Sequence, residues 1–331
     1  MAGLNYVAYK GIVSIGLGAF LLLMAVSWGL RESLKRNDTQ KVSILSSSSP
    51  FDGRRAYADL RAILEFGPRV SNSPAIAQTR AFIREQINAA GISIREEAFT
   101  AHTPRGDMPM VNLIAEVKGN APGIILLTNH YDTKYMPDIT FLGANDGGST
   151  TAWMIEMARA IGPKRNGRTL WLCFFDGEEA VGEWSATDSL YGSRALVEAL
   201  KSGGKLGDIH AMINVDMIGD CYLGVFKDAG APAWLTDAVW SVAGSVGHAN
   251  AFLDVAEIIQ DDHIPFRNAG VQAINLIDFR FGGSRLDHAR NWHTPNDTID
   301  KVCWESLQAM GDVLYQSLHR IDSAAEHGKA E

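Results

Sequence analysis

Five short apolar runs cross this chain without the alternation of a half-exposed strand: residues 110–117 (MVNLIAEV), 123–128 (GIILLT), 169–175 (TLWLCFF), 211–217 (AMINVDM) and 271–277 (VQAINLI). A strand that is apolar on both sides must be covered on both sides, so these runs demand a sheet sandwiched between helices. The intervening segments supply that cover. Residues 149–161 (Trp153, Met157, Ile161), 188–201, 234–246 and 304–321 (Leu307, Met310, Leu314, Leu318) repeat apolar positions every three to four residues. Two further helices precede them. One spans 54–65 with Tyr57, Leu60 and Leu64 on a face; the other starts at Ser73-Pro74, aligns Phe82, Ile83 and Ile87, and stops at Gly91. The Asn120-Ala121-Pro122-Gly123 turn predicts that the first two strands form a hairpin. The expected fold is therefore α/β, with a mixed, mostly parallel, twisted open sheet and helices on both faces.

Ahead of this domain lie 20 uncharged, mostly apolar residues between Lys10 and Arg31. As a helix they would extend roughly 30 Å, the thickness of a hydrocarbon core. A cleaved signal peptide is the competing reading, but Trp28, Gly29, Leu30 and Arg31 replace the small-residue cleavage site such a peptide carries. The expected organisation is a tail at 1–10, a transmembrane anchor at 11–30, a linker at 31–50 ending in four serines and a proline, one catalytic domain at 51–325 and a tail at 326–331. Orientation is contested by the sequence itself. Arg31, Lys35, Arg36 and Lys41 outnumber Lys10 and the amino terminus, which by the positive-inside tendency puts the domain in the cytoplasm.

Composition narrows the chemistry. A net charge of -8 repels phosphate backbones, so nucleic acid is not an expected partner. The three cysteines, Cys173, Cys221 and Cys303, are far apart and odd in number, so neither a disulfide framework nor a CxxC site is expected. Any metal must be held by histidine and carboxylates.

Those residues collect just after the strands: His130-Tyr131-Asp132, Asp176-Gly177-Glu178-Glu179, Asp216, and Trp292-His293 downstream of 271–277. Ligand sites of open α/β sheets lie at the carboxyl ends of strands. Asp146, within Gly143–Ser149 (GANDGGS), stands just before a helix, where the glycines free the backbone. Each cluster alone has an ordinary structural reading as a turn, a cap or a satisfied polar residue. Together they offer two histidines and three carboxylates at one sheet edge, a set suited to zinc. The pair Glu178-Glu179 can divide its work, one carboxylate on the metal and the other free as a general acid/base.

At these residues the chain resembles the M28-type zinc aminopeptidases of clan MH. Within that superfamily, FFDGEEA with Trp184, Asp188–Arg194 (DSLYGSR) and Gln260–Phe266 (QDDHIPF) are similar to the animal-type glutaminyl cyclases. The resemblance implies a zinc enzyme that converts the N-terminal glutamine of peptides or proteins to pyroglutamate. It implies Asp146, Glu179 and His293 as ligands of one Zn2+, Glu178 as the proton-transferring residue, Asp216 and Asp262 as acidic partners, and Trp184 and Trp292 as pocket walls. The cysteine pair that animal cyclases carry near the first ligand is missing, and Phe279–Asn291 does not follow their pocket segment. The same superfamily implies a second reading, a metallo-aminopeptidase with two zinc ions, the second completed by His130 and Asp216. A third, a binding protein that has lost catalysis, gives no reason to retain Glu178 beside Glu179. Anchored cyclases imply an extracytoplasmic domain, periplasmic or luminal, which opposes the charge argument above; a secreted form remains the alternative.

Overall fold

The computed structural model describes residues 41–44, 47–283 and 290–324. The expected tails, the membrane span at 11–30 and residues 31–40 of the expected linker lie outside them. Among the described residues no helix is long and apolar enough to cross a membrane.

Six strands form one sheet in the order β1-β2-β4-β3-β5-β8: β1 (Ser93–Thr103), β2 (Gly106–Val117), β3 (Ala121–His130), β4 (Arg168–Phe175), β5 (Ile209–Asp216) and β8 (Ala273–Ile277). The β1/β2 and β2/β4 pairs are antiparallel, whereas β4/β3, β3/β5 and β5/β8 are parallel. A separate parallel pair joins β6 (Val225–Asp228) to β7 (Phe252–Glu257).

The expected hairpin is not formed, because β4 lies between β2 and β3. The amides of Asn120 and Ala121 both bond to the Gly167 carbonyl at the start of β4, so the turn sets β3 beside β4 instead of folding it onto β2. The hairpin partner of β2 is β1, which the apolar runs did not reveal. It is an edge strand carrying Arg95, Glu96 and Glu97, and only Ala101 along it is fully buried.

Strand alternation builds two cores. Leu113, Leu127, Leu172, Ile213 and Ile274 point to the face covered by the helices Gly53–Leu64, Pro74–Ala89, Thr150–Ile161, Ala233–Ser245 and Trp304–Ser323. Ile114, Leu126, Cys173, Met212 and Ala273 point to the other, against Leu196, Val197 and Leu200 of helix Tyr191–Ser202 and Phe266 of helix His263–Asn268. Helix starts are chemically explicit: Asp52 accepts the amides of Arg54 and Arg55, and Ser73 accepts that of Ile76 ahead of Pro74.

Two features differ from or extend the expectations. Cys221 and Cys303 form a disulfide across 82 residues, which wide spacing had concealed; the fold brings the segment after β5 against the segment before the last helix, with Cys303 N bonded to Gly219 O. At the end of the stretch read as a linker, Ser47 Oγ, Ser48 N and Ser49 Oγ all donate to the buried carboxylate of Asp312 in the final helix.

Candidate metal centre

The polar clusters converge at the carboxyl ends of the parallel strands. His130 ends β3, Asp216 ends β5, and Glu178 and Glu179 follow β4 after the Asp176-Gly177 turn. Asp146 sits in a kinked turn, Ala144–Ser149, with extended backbone (φ -77, ψ 105) that breaks the helical path. Gly147 beside it has φ +72, and a Cβ there would stand 2.6 Å from the Asp132 carbonyl and 2.9 Å from the His130 ring. Only glycine lets the turn approach so closely.

Arg69 and Asp297, which the sequence reading did not single out, and Asp132, which it placed beside His130 without a role, hold this turn and the glutamate pair. The buried guanidinium of Arg69 donates to the carbonyls of Leu142 (2.7 Å), Gly143 (2.8 Å) and Tyr131 (3.1 Å). The carboxylate of Asp297 accepts the amides of Asn145 (2.7 Å) and Asp146 (3.1 Å). Asp132 accepts the amides of Glu178 and Glu179, one on each oxygen, at 3.2 Å. All three act on backbone, for which a lone sequence carries no local signal.

Asp146, Glu179 and His293 present ligand atoms that all lie within 4.8 Å of one another. His293 Nε2 is 2.9 Å from Glu179 Oε1 and 3.2 Å from Asp146 Oδ2. Its backbone is left-handed (φ +52), an uncommon state for a residue with a side chain and one that recurs at functional sites. The Trp292 ring stacks on the His293 imidazole, centroids 3.9 Å apart, and Phe279 packs edge-on behind it at 4.9 Å. Trp292 therefore backs the candidate ligand as well as walling the cavity.

A second group, His130, Asp146 and Asp216, shares Asp146 with the first. His130 Nε2 is 3.2 Å from both Asp146 Oδ1 and Asp216 Oδ1, and Nδ1 is 3.4 Å from Asp132. Burial opposes charge on this ring, but Asp216, Asp132 and Asp146 outweigh it and raise its pKa well above the usual histidine range.

A cavity of about 640 Å³ opens onto the first group, lined by Asp146, Glu178, Glu179, Asp216, Asp261 and His293 among others. Among its exposed lining residues, Trp184 (40%) and Ile258 (84%) are apolar and stand with Glu183 and Gln260. Lys134 Nζ stands 3.6 Å from Glu179 Oε2. Burial pushes Glu178 well above the ordinary glutamate range, and Glu179, Asp261 and Asp262 add to this against the opposing charge of His130.

One expected site residue changes place with its neighbour. Asp261, not Asp262, lines the cavity. Asp262 is wholly buried, and that burial is the main cause raising it to about 7. Asp261 is also raised well, first by burial and then by Asp216. Two consecutive acids in a turn give no periodicity from which to choose the one that faces the site.

Residues 112–318 match the peptidase family M28, and the chain belongs to that family. The solved glutaminyl cyclase of an Acidobacteriales bacterium shares 39% identity with it at a TM-score of 0.78, over 86% of this chain and 99% of that one. At that likeness the chain falls among the glutaminyl cyclases of the family. A glutaminyl-peptide cyclotransferase of Drosophila melanogaster is 29% identical over 75% of each chain. A Zn-dependent exopeptidase from Parabacteroides distasonis has the same architecture, with 25% identity and a TM-score of 0.72 over 83% of this chain and 99% of that one.

Proposed function

We propose that this protein closes the N-terminal glutamine of peptides and proteins into pyroglutamate with release of ammonia, using one zinc ion held by Asp146, Glu179 and His293. The donor set fits that ion. Two carboxylates and an imidazole converge in a buried site, and the inward Oδ2 of Asp146 accepts no hydrogen bond. Bound there, zinc would supply a Lewis acid for the side-chain amide of the substrate.

The protein's own part is proton handling. Glu178 accepts a proton from the α-amine as that nitrogen bonds to the side-chain amide carbon, and it returns the proton to the departing nitrogen as the carbon–nitrogen bond breaks. A raised pKa suits a residue that must both take and give a proton. Asp261 and Asp216 sustain that environment, and Trp184 and Trp292 exclude water around the reacting amide.

The observation that carries the one-metal reading is the position of His130. The His293 side chain reaches the cavity at 17% exposure, whereas His130 is buried at 1% and does not line it; Asp146 and Asp216 of the second group line it, so the contrast rests on the histidine alone. An aminopeptidase would need that second group on the reaction path. Mass spectrometry of zinc-loaded protein with Gln-Phe-Ala and Leu-Phe-Ala peptides decides between them. The glutamine peptide should lose the mass of one ammonia and the leucine peptide stay intact; free leucine would overturn the reading.

We further propose that residues 11–30 anchor an extracytoplasmic domain. The Cys221–Cys303 disulfide supports an oxidising compartment. Alkylation of denatured, unreduced protein from cells should then label Cys173 alone. Labelling of all three cysteines would place the domain in a reducing compartment.

A further inference from the structure

Beneath the active-site end of the sheet, three polar side chains lie side by side on adjacent parallel strands. Thr128 of β3 is in register with Asn214 of β5, and Asn214 with Asn275 of β8. All three are buried, at 0%, 1% and 2% exposure. They share the sheet face of Met212 and Ala273, one pleat below Asp216 at the site.

Their hydrogen bonds run in one direction. Thr128 Oγ1 donates to Asn214 Oδ1 (2.7 Å), Asn214 Nδ2 donates to Asn275 Oδ1 (3.1 Å), and Asn275 Nδ2 donates to Asp261 Oδ2 (3.0 Å). The chemistry sets this polarity. While ionised, Asp261 only accepts, so Asn275 turns its NH2 to Asp261 and its oxygen to Asn214, which in turn offers its own NH2 and takes the threonine proton. The other oxygen of Asp261 accepts the Asp262 amide at 2.6 Å. Apolar side chains of similar shape would fill this floor without burying polar atoms, so packing alone does not call for the ladder.

We propose that Asn214, backed by Thr128, is a positioning residue for the cyclisation: acting through Asn275, it holds the Asp261 carboxylate in place on the cavity wall. This rests on the role given to Asp261 above. Without Asn214, Asn275 Oδ1 loses its buried donor and only Asp261 still fixes that amide, so amide and carboxylate can shift together on the cavity wall.

The test compares Asn214→Leu, Asn275→Leu and the double variant in the full zinc-loaded enzyme. Asn214→Leu should lower kcat roughly tenfold, the low end of what losing an outer hydrogen-bond partner costs at a metal site, with KM and zinc content kept and the pH–rate profile displaced. Asn275→Leu should cost at least as much, and the double variant no more than Asn275→Leu alone, because both break one chain. Unchanged kcat and pH profile in a folded Asn214→Leu, or additive losses, would overturn the proposal. A second readout does not depend on turnover: the side-chain amide NMR signal of Asn275 should move on Thr128→Val and on Asn214→Leu. A stationary signal refutes the ladder even if the parent enzyme proves not to be a cyclase, while an inactive parent with a moving signal refutes only the cyclase reading.

Discussion

Glu178→Gln is expected to lower kcat by about 10²–10⁴-fold, the usual worth of a positioned general acid/base, with zinc still bound. Glutamine keeps the shape and both hydrogen-bonding ends but cannot carry the proton from the α-amine to the leaving nitrogen. The backbone of residue 178 is held by Asp132, so the change should leave the turn and the neighbouring candidate ligand Glu179 where they are. Zinc content by atomic absorption and kcat on a glutamine peptide together check this, and near-normal turnover would remove Glu178 from the mechanism. The acid limb of the parent should belong to the same group. Glu178 must be ionised to accept the proton, and its pKa is raised, mainly by burial, so activity should fall with decreasing pH closer to neutrality than for an ordinary glutamate. Glu178→Gln should erase that limb from the residual rate.

Glu179→Ala should behave in the opposite way, losing the metal and with it all measurable turnover, to the level of the chelator-treated parent. Two ligands, Asp146 and His293, would remain of the candidate three. Stability separates this from simple misfolding. Zinc at a hundred times its dissociation constant should stabilise the parent by about 2.7 kcal/mol, and the variant should show no such gain. The metal-free variant should unfold no more easily than the metal-free parent, because burial of Glu179 and then its repulsion with Asp146 outweigh its contacts with His293 and Lys134, which is why its pKa is raised. Urea unfolding with and without zinc measures both. A variant that still gains stability from zinc would exclude Glu179 as a ligand.

Much of this was legible without coordinates because it depends on local chemistry. Apolar runs long enough to be strands, helical repeats such as Leu307, Met310, Leu314 and Leu318, and a cap such as Ser73-Pro74 are written in neighbouring residues, and the elements form within a few residues of where that pattern places them. The carboxyl ends of such strands are where ligands gather, so Asp146, Glu178, Glu179, Asp216 and His293 could be singled out together. The charged edge strand β1 escaped because it has no continuous apolar run, and the order of β2, β4 and β3 escaped because a turn motif says nothing about what inserts beside it.

By itself the sequence determined the element types, the α/β class and the inventory of candidate ligands and acids, since each follows from residue type and short spacing. Tertiary structure alone decided which strands are neighbours, that Cys221 meets Cys303, that Asp261 rather than Asp262 faces the cavity, and that Thr128, Asn214 and Asn275 stand in one row. The physical reason is common to all four: each depends on contacts between residues distant in the chain or on the direction of one side chain in an aperiodic turn, and short-range patterning carries neither.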